Sequence, residues 1–366
     1  MWATLRPFNP HPHNDVSWLP DTNGVRFGGS GIILSQGSLK PATDSAVHDT
    51  CTIEIYLVPY TDNDRGGTFL TFSSDDNLDA VFLRQWRKSL LIYKSLPAKE
   101  PGPKLVLFEV DDFLHVKRPA LVTISSGPHG STVYVDGKAA RSDPHFRIHL
   151  ADVYRRIVLG TSPTNYQVWH GEIRGLAIFD EETSTVQAAA HFAEWKGGPS
   201  SSASISENIS HTLARYDFRE RNGNTIRSER AFAPSLIIPS HFSVPNKPLL
   251  DSPIDEFDWS PSWRNDVIEN VLGFMPFGFV LCGFFALSLP RGQAILVSTL
   301  VGGLLSLTVE TLQYYIPRRD SSFTDVISNT TGALLGALIA RPELVRTALR
   351  LVFLIPSKRS TEASRD

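Results

Sequence analysis

Six polar side chains interrupt an otherwise apolar stretch near the C-terminus. Asp266 and Asn270 are four residues apart, Glu310 and Gln313 three apart, and Asp325 and Asn329 four apart. On helices these spacings put each pair on one face. An ionisable group costs about 2.5–3.5 kcal/mol at the centre of a bilayer and less near its interface. Three helices carrying that cost at one depth predict a single shared polar cluster. Arg318 and Arg319, in the turn after the second helix, are the expected counter-ions. Two carboxyl groups brought close suit proton transfer, which makes Glu310 with Asp266 or Asp325 a candidate acid/base pair. A hydrogen-bonded lock holding three helices together accounts for the same residues, and the pattern alone does not choose between pocket and lock.

The elements that must position these residues are three apolar runs, 267–290, 292–316 and 323–340. A membrane span needs about 20 mainly apolar residues. The first two runs meet that length, and the third, short and polar at its start, reads as a span beside them. Residues 267–340 hold seven charged side chains, and no lysine occurs between Lys247 and Lys358. A buried helical hairpin of a soluble core is the alternative, but so long a stretch with so few charges argues against it. Gly302, Gly303, Gly332 and Gly336 are placed to let the helices approach closely. The basic residues favour an outside N-terminal part: Arg291, Arg341, Arg346, Arg350, Lys358, Arg359 and Arg365 on one side against Arg264, Arg318 and Arg319 on the other. Trp259, Trp263, Tyr314 and Tyr315 then form an outer aromatic belt. The basic tail, 342–366, lies on the inner side, where 344–355 reads equally as an interfacial helix or a solvated segment.

The ordered set D-V-I-E-N-x5-P-F-G (266–278), E-T-L-Q (310–313) and R-x5-D-x3-N-x2-G-x3-G (319–336) resembles the VanZ-like membrane protein family. The resemblance covers about the last quarter of the chain, as domain 264–341. It implies a small polytopic protein of the bacterial cell envelope. The founding member is associated with reduced sensitivity to the glycopeptide teicoplanin. What carries over is the pattern itself, onto Asp266, Asn270, Glu310, Gln313, Arg319, Asp325 and Asn329. Proteins of this type usually have a further span before the Asp/Asn motif. Residues 1–17 contain no apolar run, so an upstream helix ending near residues 5–7 is expected to start translocation.

The rest of the chain has another character. Overall, 35 Lys and Arg against 38 Asp and Glu give a net charge of −3, which points away from nucleic acid. Two cysteines exclude a disulfide scaffold. Cys51 reads as a buried strand residue and Cys282 lies inside the first span. Residues 51–60, 68–73, 121–126, 131–137, 155–162 and 171–180 alternate with period two, and their breaks are rich in Gly, Pro, Asp and Asn. The fold class expected is an all-β sandwich or jelly roll over 18–198, followed by an α-helical transmembrane bundle. Residues 185–195 are the one plausible helix of the first part. I-E-I-Y-L-V-P (53–59), V-Y-V-D-G-K-A (133–139), I-V-L-G-T (157–161) and H-G-E-I-R-G-L-A-I-F-D (170–180) are similar to LamG-type, concanavalin A-like domains. That resemblance implies a two-sheet jelly roll that often binds glycans or protein partners, sometimes with calcium. No cofactor is otherwise expected. The loop aspartates Asp62, Asp64, Asp75, Asp76 and Asp79 are where calcium would sit, although such residues ordinarily serve as solvated turn formers. Trp86 and Trp169 are the candidates to stack on sugar rings, against core packing as the ordinary role of each. The histidines show no metal-ligand spacing.

A Ser-rich linker (199–212) leads to a β-rich extension and a proline- and acid-rich tether (213–263). Tyr216, Asp217 and Phe218 with Glu220 and Gly223 resemble the opening strand of LamG-like domains. They would add edge strands to the sandwich or form a small β unit against the membrane part. Three functions remain: an envelope accessory protein whose outer domain binds a glycan or protein; an intramembrane enzyme acting on a lipid-linked envelope substrate; and an adhesion module whose helices only anchor it.

Overall fold

The computed structural model describes residues 12–40, 49–62, 66–74, 77–96, 104–164, 166–197, 211–257, 261–317 and 319–340. The Ser-rich linker up to residue 210, the basic tail, Trp259, Arg318 and the proposed N-terminal helix end lie outside them. The chain divides into two units, Met1–Lys247 and Pro248–Asp366.

The first unit is built from β1 (Val16–Trp18), β2 (Val25–Phe27), β3 (Ile33–Ser38), β4 (Cys51–Pro59), β5 (Gly67–Ser74), β6 (Asn77–Trp86), β7 (Ser89–Leu96) and β8 (Lys104–Val110). It continues with β9 (Ala120–Gly127), β10 (Gly130–Val135), β11 (Lys138–Asp143), helix α1 (Leu150–Val153), β12 (Arg156–Leu159), β13 (Gly171–Phe179) and helix α2 (Thr185–Gly197). β14 (Thr212–Tyr216), β15 (Thr225–Ile226) and β16 (Leu236–Ile237) complete it. One sheet runs β1-β2-β13-β4-β9-β10-β11, with β14 also on β13, and the other runs β15-β16-β3-β12-β5-β6-β7-β8. The strand pairs are antiparallel. The chain crosses repeatedly between the sheets, as a jelly-roll-type sandwich does. Inward residues of both sheets, among them Ile53, Ile55, Leu57, Phe69, Phe72, Val122, Ile124, Ile157 and Ile173, form one buried cluster. The sandwich expected from the alternating strands is therefore the fold of this unit.

The extension after the linker joins the sandwich. β14 pairs with β13 from Leu176↔Tyr216 to Phe179↔Thr212, and β16 pairs with β3. Tyr216 and Phe218 are buried in the common core. Of the two placements open from the sequence, edge strands are the one observed. The predicted helix at 185–195 is α2, which lies on the outer face of the first sheet. There Glu54, fully buried, accepts from Trp195 Nε1 at 3.0 Å and lies 2.8 Å from His191 Nδ1.

The second unit contains α3 (Pro253–Glu256), α4 (Pro261–Phe285), α5 (Arg291–Tyr314) and α6 (Phe323–Ile339). α4 and α5 are long and apolar enough to cross a membrane; α6, at 17 residues, is shorter. The buried positions of α5 are Ala294, Ser298, Gly302, Ser306 and Glu310, and those of α6 are Ser328, Asn329, Gly332, Ala333, Gly336 and Ala337. Along the helix middles the large outward side chains are apolar, with Leu272, Val280 and Phe284 on α4, Leu296, Leu300 and Leu304 on α5, and Ile327, Leu334 and Leu338 on α6. A helix bundle in water has the reverse polarity. This one puts small and polar groups inside and large apolar ones outside, as lipid requires.

Glycine sets the helix spacing. A Cβ on Gly332 would lie 2.2 Å from Val271 O, one on Gly336 1.9 Å from Met275 O, and one on Gly278 2.0 Å from Ala333 O. The backbones of α4 and α6 are thus in contact at successive turns, closer than any side chain permits.

Candidate functional site

The start of α6 collects the polar residues. Ser322 is its N-cap, and the serine hydroxyl accepts from the Asp325 backbone N–H at 3.1 Å. The Ser322 N–H donates to Glu310 Oε2 at 3.0 Å, and its hydroxyl donates to Glu256 Oε2 at 2.7 Å. Thr324 also donates to Glu256. One serine therefore holds two carboxylates from two other helices. A third, Asp325, accepts from Asn270 Nδ2 at 2.7 Å, which joins α4 to α6. One turn further along α6, Asn329 Nδ2 donates to Ser306 Oγ at 2.9 Å, which joins α6 to α5, and Asn329 Oδ1 has no hydrogen-bond partner. With its amide nitrogen turned inward, Gln313 donates to Glu310 Oε2 at 3.3 Å and to Asp320 O at 3.2 Å.

The loop before α6 fixes this geometry. Ser321 Oγ donates to the Glu310 carbonyl at 2.9 Å. The strand-like segment at Asp251 runs parallel to Ser322, with Asp251 N donating to Ser321 O at 2.8 Å and Phe323 N donating to Asp251 O at 3.1 Å. α3 follows at once, capped by Ser252 with Pro253 in its first turn, and places Glu256 at its end. Carboxylates at the N-terminal end of α6 gain from its unpaired N–H groups and dipole.

Five of the seven predicted cluster residues come together: Asn270, Glu310, Gln313, Asp325 and Asn329. Glu310 is only 2 % exposed. Two lie at its margin. Asp266 is exposed on α4, one turn before Asn270, outside the hydrogen-bonded set but within electrostatic range of Asp325. Arg319 is exposed in the α5–α6 turn, within electrostatic range of the Glu310 carboxylate. A further carboxylate, Glu256, joins from the segment that the sequence assigned to the tether. Ser306 lies below Glu310 on the same helix stripe, as its spacing predicts, whereas Ser321 and Ser322 fall outside the predicted set. S-S-F-T-D (321–325) carries the signal that would have found Ser322, a Ser-x-x-Asp cap before an apolar run. The arrangement gathers three carboxyl groups into one hydrogen-bonded set at the end of a buried polar stripe.

On the sandwich, Trp169 is a core residue rather than a sugar platform. It is 1 % exposed, its Nε1 donates to Gln85 Oε1 at 2.6 Å, and it packs against Phe27 and Phe69. Trp86 is 37 % exposed, with the Arg84 guanidinium 5.7 Å from its ring centroid. Asp62 is exposed, Asp79 falls in β6, and Asp64, Asp75 and Asp76 lie outside the described residues. Among the described residues no three His, Cys, Asp or Glu side chains form a metal-sized group. Cys51 and Cys282 are free and buried, and burial pushes the Cys51 thiol pKa far up.

Polar side chains at 270, 310, 325 and 329 thus meet around a glycine-packed α6. Residues 213–346 match the VanZ/LLP1 family. No curated protein matches the chain. Among solved structures, the receptor binding domain of botulinum neurotoxin D is similar at 16 % identity and a TM-score of 0.39, over 50 % of this chain and 46 % of that one. A botulinum neurotoxin serotype D ligand binding domain in complex with N-acetylneuraminic acid is similar at 15 % identity and a TM-score of 0.37, over 51 % and 45 %. The SAP-like pentraxin from Limulus polyphemus is similar at 12 % identity and a TM-score of 0.34, over 48 % and 79 %. The VanZ-like region thus begins within β14 of the sandwich and runs through all three long helices.

Proposed function

We propose that this chain is a multi-pass protein of the bacterial plasma membrane. Its sandwich faces the cell exterior as a recognition module for an envelope glycan or protein. The VanZ-like helices anchor it among membrane lipids and modulate the envelope, including sensitivity to teicoplanin. The observation that carries this reading is the inverted polarity of the helical unit: Ser298, Ser306, Glu310 and Asn329 inside, leucines outside. The basic tail and the lysine-free spans support the outside placement of the sandwich. A bacterial strain expressing the chain should shift its teicoplanin susceptibility relative to a strain without it. An unchanged susceptibility with the intact, membrane-inserted chain contradicts the modulating role.

One observation favours a second reading. Glu256, Glu310 and Asp325 gather around Ser322, with the exposed Arg319 within electrostatic range of Glu310. Such a centre suits an intramembrane enzyme acting on a lipid-linked envelope substrate. Glu310→Gln keeps the shape and removes the acid. Normal insertion with lost effect supports chemistry, and an unchanged effect supports the scaffold.

A further inference from the structure

The outer face of the first sheet carries a built charged cavity that none of the roles above uses. Arg26 on β2, Glu172 on β13 and Val58 on β4 stand side by side in register. Their neighbours Val25, Phe27, Ile173 and Leu57 fill the core, so these three point outward. Tyr60, Arg174 and the exposed Lys117 complete an open cavity of about 300 Å³.

Glu172 is the organiser. It is almost fully buried, and its Oε1 takes Arg26 Nη2 at 3.3 Å and the Tyr60 hydroxyl. Its Oε2 takes Arg174 Nε at 3.0 Å and Nη2 at 2.7 Å. The Arg26 guanidinium lies 5.4 Å from the Tyr60 ring centroid. Both arginines are thereby oriented. Lys117 is held at the rim by a left-handed backbone (φ 60°) and by its N–H donating to Pro59 O at 2.7 Å. Three cations therefore face the cavity against one carboxylate. Oriented guanidinium forks with surplus positive charge are a receptor for an oxyanion. The space exceeds a bare carboxylate or phosphate and suits a ligand carrying more atoms. Its lining divides evenly between polar and apolar surface, with Val58 at the floor, which suits a sugar ring with hydroxyl edges and apolar C–H faces.

We propose that Arg26, Lys117 and Arg174, organised by Glu172 and Tyr60, form a binding site for an anionic saccharide, a sugar bearing a carboxylate or phosphate. This deepens the recognition role given to the sandwich above and rests on it.

The test is calorimetric titration of the full-length protein in neutral detergent with glucuronate, glucose 1-phosphate and glucose, alongside its retention on isolated cell-wall sacculi. Saturable binding of a charged sugar with none of glucose is expected. The two charged sugars report which oxyanion is preferred. Lys117→Gln and Arg174→Gln should each weaken binding at least about tenfold through loss of a charge-assisted contact. Lys117→Gln, on an exposed side chain, should leave thermal unfolding unchanged. No binding of either charged sugar, or equal binding by both variants, overturns the site. If wild type and variants are retained alike on sacculi while charged sugars do not bind, the cavity assignment falls and the recognition role stands. If charged sugars bind but sacculi retain nothing, the cavity stands and the recognition role falls.

Discussion

Asn270 and Asp325 are joined by a 2.7 Å hydrogen bond that ties the third turn of α4 to the first turn of α6. Away from water, an amide and a carboxyl have no better partner than each other, yet such bonds in membranes are worth modest amounts. Asn270→Leu should therefore cost about 1 kcal/mol of stability. Reversible unfolding of the purified chain in mixed micelles checks this. Asn270→Asp should cost more, because it sets a second carboxyl against Asp325.

Backbone contact between α4 and α6 makes a stronger demand. Gly336→Leu places a side chain where Met275 O already lies, so the helices must separate. A loss of about 3 kcal/mol or more is expected. Gly273→Ala, with nothing within 4 Å of the new Cβ, is the matched control. It should be neutral or stabilising by up to about 1 kcal/mol. Thermal unfolding of both variants in one detergent gives the comparison.

The tryptophans of the sandwich separate core from surface. Trp169→Ala removes a buried ring bonded to Gln85 and should cost about 3–5 kcal/mol. Trp86→Ala should change stability by about 0.5 kcal/mol or less. Near-ultraviolet circular dichroism on heating follows both. Equal losses contradict the assignment of Trp169 to the core.

His191 gives the sandwich a pH dependence. Burial works to lower its pKa, but the Glu54 carboxylate, through hydrogen bond and charge, more than offsets this and holds it above 6.5. The folded state thus binds the proton more tightly than the unfolded chain. The stabilisation is fully present below pH 6.5 and is lost as the pH rises through the raised folded-state value. The melting temperature of the sandwich transition should fall across that window, and His191→Gln should flatten this part of the profile. A melting temperature that rises across it in the wild type contradicts the pairing.

The sequence made most of this legible where periodicity was strong. The apolar runs 267–290, 292–316 and 323–340 correspond to helices at Pro261–Phe285, Arg291–Tyr314 and Phe323–Ile339. The first starts earlier because Pro261 opens a helix at its first position and Arg264, Asn265 and Asp266 continue it with exposed side chains. Alternation exposed β4, β9 and β13 directly. Glu256 stayed hidden because helical spacing only relates residues within one element. Its place in the cluster depends on the Asp251–Ser322 pairing, a long-range contact with no sequence period. Arg26 and Glu172 met for a similar reason, through the β2–β13 register. The G-E-I-R alternation did place Glu172 and Arg174 on one strand two residues apart, but not their partners.

The central claim is a bilayer-embedded bundle with the sandwich outside, and thiol labelling of living cells tests it most directly. Cys51 and Cys282 are both buried, so background labelling should be low. Ser204→Cys in the Ser-rich linker should react with a membrane-impermeant maleimide on intact cells. Ser288→Cys, in the turn between α4 and α5, should react only after permeabilisation. Labelling of Ser288→Cys but not Ser204→Cys on intact cells would contradict the orientation, and labelling of both would contradict the membrane crossing itself.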